Sequence, residues 1–197
     1  ALVLNIGERL VLFDSGMGSD QMFGDKSGRL LRNLAAAGIQ PDQIDDIVLT
    51  HAHCDHCWGM VGDGGALNFP NAQVHMSQAD FDFWTDEAKL SGAGFLPAFV
   101  KGARKNLLPY RDRMHFVADQ KEVLPGITAL STPGHTVGHT SFLISSCNES
   151  FLNVGDVVHH YALLFENPTW EFAFDSSPSQ AAQTRVKLFD MAAADQM

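Results

Sequence analysis

Residues 50–59 read Thr50-His51-Ala52-His53-Cys54-Asp55-His56-Cys57-Trp58-Gly59 and follow directly on the apolar run Ile47-Val48-Leu49. A strand end with only a packing role does not carry three imidazoles and a carboxylate in so short a stretch, because each of them, once buried, needs a polar partner. Neutral imidazole nitrogens and carboxylate oxygens are the usual ligands of zinc and similar divalent ions. In a loop leaving a strand, residues 51 and 53 can point one way while 55 and 56 point to a neighbouring spot, so one segment can feed two adjacent metals. A solvated polar loop is the bland alternative, and metal binding explains the cluster better.

The chain around this segment can bury a sizeable core. Its 197 residues are 45% hydrophobic and include 14 Phe, 3 Trp and 9 His, which suits one globular domain spanning 1–197. The formal net charge of -10 repels phosphate backbones and argues against nucleic acid as a partner. No stretch approaches the roughly 20 apolar residues of a membrane span, so a membrane partner is not expected either. Three cysteines cannot form a fully paired disulfide framework, and Cys54 and Cys57 sit among histidines. Unpaired thiols point to a reducing cytoplasm. The chain starts inside an apolar pattern at Ala1-Leu2-Val3-Leu4 and stops at Asp195-Gln196-Met197, just after a helical one. The expectation is a fragment of a longer protein, truncated at both ends.

Local patterns give a coarse order of elements. Residues 1–6 and 9–14 read as a hairpin around Gly7-Glu8. Ser27 is placed to cap a helix through Leu30, Leu31 and Leu34 that ends at Gly38. Strands are expected at 47–49, 73–76, 127–130, 141–145 and 150–154, the last two joined around Asn148-Glu149. Ser77 opens a helix through Phe81 and Trp84. Residues 91–110, rich in Gly and Phe, suit a partly helical segment over a substrate. Ser177-Pro178 opens a last helix with Pro at its favoured first position. Strands outnumber helices, which favours sheet layers with outer helices over a bundle. Leu10-Val11-Leu12-Phe13-Asp14 and Phe151-Leu152-Asn153-Val154-Gly155-Asp156 are both apolar strands that end in Asp, a coarse echo consistent with an internal duplication.

The run His51-Ala52-His53-Cys54-Asp55-His56 resembles the His-x-His-x-Asp-His signature of the metallo-β-lactamase superfamily. Phe13-Asp14-Ser15-Gly16, Thr132-Pro133-Gly134-His135-Thr136, His139 and Gly155-Asp156 follow the same family order, so the likeness covers residues 10 to about 160. From Gly155 through Glu171 to Phe189 the chain looks most like the branch of methyl parathion hydrolase and related lactonases. The resemblance implies an α/β (α+β) fold, a four-layer αββα sandwich, here without its C-terminal strand. It implies that His51, His53 and His135 hold a first metal, that Asp55 and His56 hold a second, and that Asp156 bridges the two. Asp14 would orient the ligand loop from outside the ligand set, and His139 would support its turn. The family's second metal takes a further histidine after the last helix, and no histidine follows His160 here. The second ion would then be weakly held or absent. Trp58-Gly59 stands where the family usually has Gly-Gly, so packing at that loop should differ.

The implied cofactors are two divalent ions, zinc first, with manganese, iron or cobalt accepted by the same ligands. Together they would share a bridging hydroxide that attacks a lactone, ester or phosphotriester of a small-molecule substrate. The chain has no Gly-x-Ser-x-Gly elbow, which argues against a serine hydrolase. Asp55 can double as proton shuttle. His159 or Tyr161, near where similar lactonases place a tyrosine, can donate a hydrogen bond to substrate. Trp58, Phe69, Phe95, Phe99, Phe165 and Trp170 are candidates for an apolar pocket. Cys54 and Cys57 read as small fillers, and His75 and His115 as isolated histidines. A glyoxalase II-like thioesterase is the enzymatic alternative, though this chain is poor in the basic residues an anionic thiol carrier calls for. A non-catalytic metal-binding domain is the other. A homodimer is compatible with the sequence.

Overall fold

The computed structural model describes every residue of the chain except Gln196. The chain divides into two compact units, one of residues 1–76 with 81–116 and one of residues 77–80 with 117–197.

In the first unit the expected hairpin forms from β1 (Leu2–Asn5) and β2 (Leu10–Phe13), paired antiparallel from Leu2 opposite Phe13 to Asn5 opposite Leu10. Gly7 turns the chain at φ 96°, and its N–H is taken by the Asn5 side chain at 3.0 Å. β3 (Asp46–Val48) runs parallel to β2, and β4 (Gln73–Ser77) runs parallel to β3. With β5 (Met114–Val117) they complete a sheet ordered β1-β2-β3-β4-β5. The inner parallel strands read as unbroken apolar runs because both their faces are covered, and Ile47, Val48 and Val74 have no exposed surface.

Helices α1 (Leu30–Ala36), α2 (Cys54–Cys57), α3 (Gln78–Thr85) and α4 (Leu96–Leu107) belong wholly or mainly to this unit. The core joins Leu12, Leu34, Ile44, Phe69, Met76 and Tyr110, among others. Tyr110 brings its hydroxyl into that core, where it accepts from Phe69 N–H and donates to Met60 carbonyl. Ser27 does not cap α1. Its hydroxyl donates to the carbonyls of Asp20 and Gly24, while Arg29 occupies the cap position without a side-chain bond.

The second unit is an antiparallel meander, β6 (Lys121–Leu124), β7 (Ile127–Ser131), β8 (Thr140–Ser146) and β9 (Glu149–Asn153), paired in that order. The last hairpin turns one residue earlier than its sequence suggests. Cys147 and Asn148, at φ 52° and 65°, are the central pair, and Ser146 faces Glu149. Two consecutive left-handed residues match the twist of the flanking strands. Helices α5 (Tyr161–Leu164) and α6 (Pro178–Ala194) complete the unit, α6 starting at Pro178 as expected.

The unusual Trp58 is accommodated by a glycine. A Cβ on Gly102 of α4 would stand 2.1 Å from the Trp58 ring. Gly59 makes a closer approach to backbone, since a Cβ there would lie 2.0 Å from the Ser15 carbonyl, which cannot move aside as a side chain could. Gly59→Ala should therefore cost at least ~1–3 kcal/mol, the usual range for overpacking. Denaturant unfolding checks this: a midpoint equal to wild type would contradict the reading, and a clear loss supports it.

Candidate metal centre

The two units each carry a cluster of imidazoles beside carboxylates. In the first, Asp14 follows β2 in the left-handed region at φ 55°, a conformation that persists in a non-glycine residue only when its surroundings hold it. Here the hold is a set of hydrogen bonds. The buried carboxylate accepts the Thr50 N–H at 2.9 Å and the Thr50 hydroxyl at 3.0 Å, and His56 Nδ1 lies 3.0 Å from Oδ2.

A carboxylate only accepts, so these contacts put the His56 proton on Nδ1 and leave the Nε2 lone pair. Thr50 has given its one proton to Asp14, so its oxygen accepts from His51 Nδ1 at 3.0 Å, which leaves the His51 Nε2 lone pair as well. That Nε2 lies 3.0 Å from His53 Nδ1. Ring nitrogens so close share either one proton or one cation. The single turn of α2 then swings Asp55 and His56 round, with Asp55 Oδ2 3.6 Å from His56 Nε2 and its side chain 44% exposed. His53 is walled by Trp84, edge-on at 4.9 Å, and by Phe99 at 5.9 Å.

In the second unit, the turn after β7 presents His135, which is 4% exposed. Its Nδ1 is 2.9 Å from Asp175 Oδ1 and its Nε2 3.4 Å from Asp156 Oδ2. His139 is fully buried and supports the turn. Its Nε2 accepts the Asp156 N–H at 3.0 Å, so its proton sits on Nδ1, 2.8 Å from the Thr132 hydroxyl. Asp156 follows β9 in a short 3-10 turn, Gly155–Val157.

His159 stacks on Phe172 at 4.1 Å, with its Nε2 3.5 Å from Asp156 Oδ2. Both of its ring nitrogens are buried without a hydrogen-bond partner. His135, Asp156 and His159 each offer a ligand atom, all within 4.8 Å of one another. An imidazole left with two orphaned nitrogens beside a carboxylate and a second imidazole is a donor set that fits a divalent cation. Tyr161 is 77% exposed and stacks on His160.

Two residues here escape the sequence reading, Asp175 and Arg185. Arg185 has no exposed surface, and its guanidinium donates to the carbonyls of Val157, Pro168 and Trp170 while Nη2 lies 3.6 Å from Asp175 Oδ2. Burial lowers its pKa, and the Asp175 charge opposes that shift. A signal for Arg185 exists in the sequence, since it falls at helical spacing between the buried Ala181 and Leu188. Asp175 has none, lying in an irregular stretch that only the fold brings to His135.

The sequence profile of the metallo-beta-lactamase superfamily matches residues 1–196. The chain belongs to this superfamily. The fold agrees: two sheets flanked by helices, as in the hydrolase AbOPH of the beta lactamase superfamily, 34% identical with a TM-score of 0.89 over 99% of this chain and 68% of that one. AidC, a dizinc quorum-quenching lactonase solved with its product N-hexanoyl-L-homoserine, is 31% identical at a TM-score of 0.86 over 98% of this chain and 67% of its own. An N-acyl homoserine lactonase from Bacillus sp is 26% identical over 159 residues, 81% of this chain and 56% of that protein. The chain thus spans about half the length of the curated relatives it matches, and the lactonase homologues bear out the likeness to that branch of the superfamily.

Among the candidate pocket aromatics, Phe99 faces His53, and Trp58 lines a cleft of ≈ 690 Å³ with Met17, Val61 and Gly102, while Lys101 and Lys105 also border it. Phe69 is fully buried in the core instead, and Phe95, Phe165 and Trp170 are exposed. His75 is not isolated: it pairs with the buried Asp46 at 2.8 Å and stacks on His115. Among the described residues, no helix is long and apolar enough to cross a membrane.

Cys54 and Cys57 are buried fillers, and Cys57 Sγ–H donates to the Ala52 carbonyl. Burial, reinforced by the Asp55 charge, pushes the Cys54 thiol up to about 12. At pH 8 native protein should therefore be alkylated at the exposed Cys147 alone, with Cys54 and Cys57 reacting only after unfolding. Mass mapping of the modified peptides checks this, and rapid native labelling of Cys54 would contradict it.

Proposed function

We propose that the chain forms the metal-binding body of a metal-dependent hydrolase that opens lactone rings of the N-acyl homoserine type. His51, His53 and His135 hold one divalent ion, zinc first, with manganese, iron or cobalt as substitutes. Asp55 and His56 hold a second, and Asp156 serves both. The observation that carries the reading is the proton accounting. Buried Asp14 takes the Nδ1–H of His56 and buried Asp175 takes that of His135, so both rings keep their Nε2 lone pairs for a cation. The substrate class follows the lactonase relatives, and the apolar Trp58–Phe99–Trp84 wall beside His53 suits an acyl chain.

Divalent ions bound by such ligands draw the pKa of water towards ~7 and polarise a carbonyl oxygen. The chain's own groups do the rest. His159, with two buried nitrogens lacking partners, donates to the substrate oxygen as negative charge develops there, with Tyr161 as the other candidate donor. Asp55, less buried than the histidines, takes the proton released by the attacking water and returns it to the ring oxygen as the C–O bond breaks. The product is the open hydroxy acid, so atoms and charge balance with water as the only co-reactant.

Turnover of an N-acyl homoserine lactone, paraoxon and a thioester, measured beside metal content, tests the reading. Chelator-stripped protein should lose lactone hydrolysis and regain it with zinc. Loss of an outer partner alone typically costs about 10–100-fold in metal affinity or activity. His51→Ala and Asp156→Asn should therefore fall by more than ~100-fold in turnover and lose bound metal. Lactone turnover that survives stripping, or a thioester or paraoxon preferred over the lactone, would overturn it. His159→Phe with metal content intact and turnover unchanged would remove His159 from its role.

A further inference from the structure

Arg185 has no part in the reading above, and Asp175 enters it only through His135. The two face each other as an ion pair, Arg185 Nη2 3.6 Å from Asp175 Oδ2, both atoms buried and neither with a hydrogen-bond partner. The Asp175 side chain has no exposed surface and meets His135 Nδ1 at 2.9 Å. Its register is fixed by backbone, since Ser176 N–H donates to the His135 carbonyl at 3.0 Å and Ser177 N–H to the Gly134 carbonyl at 2.9 Å. Gly134 at φ 135° packs its backbone on α6 so closely that a Cβ would stand 2.4 Å from Ala181, so the His135 turn has no room to slide. Arg185, from the same helix, sets its guanidinium between Asp175 Oδ2 and three carbonyls of the segment after Asp156. A buried carboxylate and a buried guanidinium are costly alone and are tolerated when paired and hydrogen-bonded.

We propose that Asp175 and Arg185 are a positioning pair. Asp175 fixes His135 as the Nδ1–H tautomer, so that Nε2 is the ligating nitrogen, and Arg185 ties that ring to residues 157–170, the segment carrying His159. This rests on His135 being a metal ligand, as proposed above, but its first consequence is visible without metal. Arg185 also decides what an amide at position 175 would do. A guanidinium only donates, so it holds the amide oxygen on its own side and turns the NH2 towards His135. The ring must then accept at Nδ1 and carry its proton on Nε2, where a cation would otherwise bind.

The experiment is long-range 1H–15N correlation of the histidine rings in the metal-free chain, with zinc affinity measured by chelator competition. Wild type should show His135 protonated on Nδ1. Asp175→Asn should move the proton to Nε2 and weaken zinc binding by about 10–100-fold, the usual cost of losing an outer partner. Its thermal midpoint should fall, because the buried Arg185 charge loses its counter-charge, so both readings are taken well below that midpoint. Arg185→Lys keeps the charge but not the planar fork. It should leave the tautomer in place and speed amide exchange across residues 157–170. Because Nε2 also faces Asp156 at 3.4 Å, the deciding atom is Nδ1. Wild-type His135 bare at Nδ1 and protonated on Nε2 overturns the proposal with no variant needed, and so does an Asp175→Asn protein whose Nδ1 protonation and zinc affinity match wild type. If the tautomer moves as stated but neither protein binds zinc, the positioning pair stands and the metal reading above falls.

Discussion

A buried carboxylate that takes the Nδ1 proton of an imidazole is the interaction on which the rest depends. Asp14 does this for His56 in the first unit and Asp175 does it for His135 in the second. Each carboxylate is costly to bury; Asp14 is compensated by hydrogen bonds from Thr50, and Asp175 by its bond to His135 and by the Arg185 charge 3.6 Å away. Without them the rings would be free to choose their tautomer and rotamer. The strained backbone at Asp14 makes sense in this light, because the left-handed turn after β2 aims the carboxylate at both Thr50 and His56.

The fold serves these contacts. Asp14 leaves the carboxyl end of β2, and Thr50 and His51 follow the neighbouring parallel strand β3, so the first cluster of imidazoles gathers at one end of a parallel sheet, where α/β folds commonly bind. The second unit reaches the same result with a different device, an antiparallel meander whose turn after β7 and whose exit from β9 carry His135 and Asp156. The two strands ending in Asp that echo each other in the sequence are β2 and β9, one in each unit.

Much of this was legible in the sequence because it is local. The spacing of His51, His53, Asp55 and His56, the Ser177-Pro178 helix start and the first hairpin each depend on neighbouring residues only. What was not legible depends on distant ones. Met114–Val117 and Lys121–Leu124 each close the edge of a different sheet despite charged and exposed positions, because edge strands need only one apolar face. Phe69 looks like a pocket aromatic in sequence but is core, since its partner Tyr110 lies far along the chain. Trp58 departs from the family's small residue, and its space comes from Gly102 on α4, which no local pattern announces. Asp175 is hidden for the same reason, facing a histidine from an earlier loop.

The central claim is that histidine nitrogens and carboxylate oxygens, not the thiols of Cys54 and Cys57, hold the divalent ion. X-ray absorption at the zinc edge of the loaded chain tests it most directly. The account predicts a shell of nitrogen and oxygen at about 2.0–2.2 Å with the outer-ring scattering of imidazoles. A shell with sulfur at about 2.3 Å, or one of water oxygens without imidazole scattering, would contradict it.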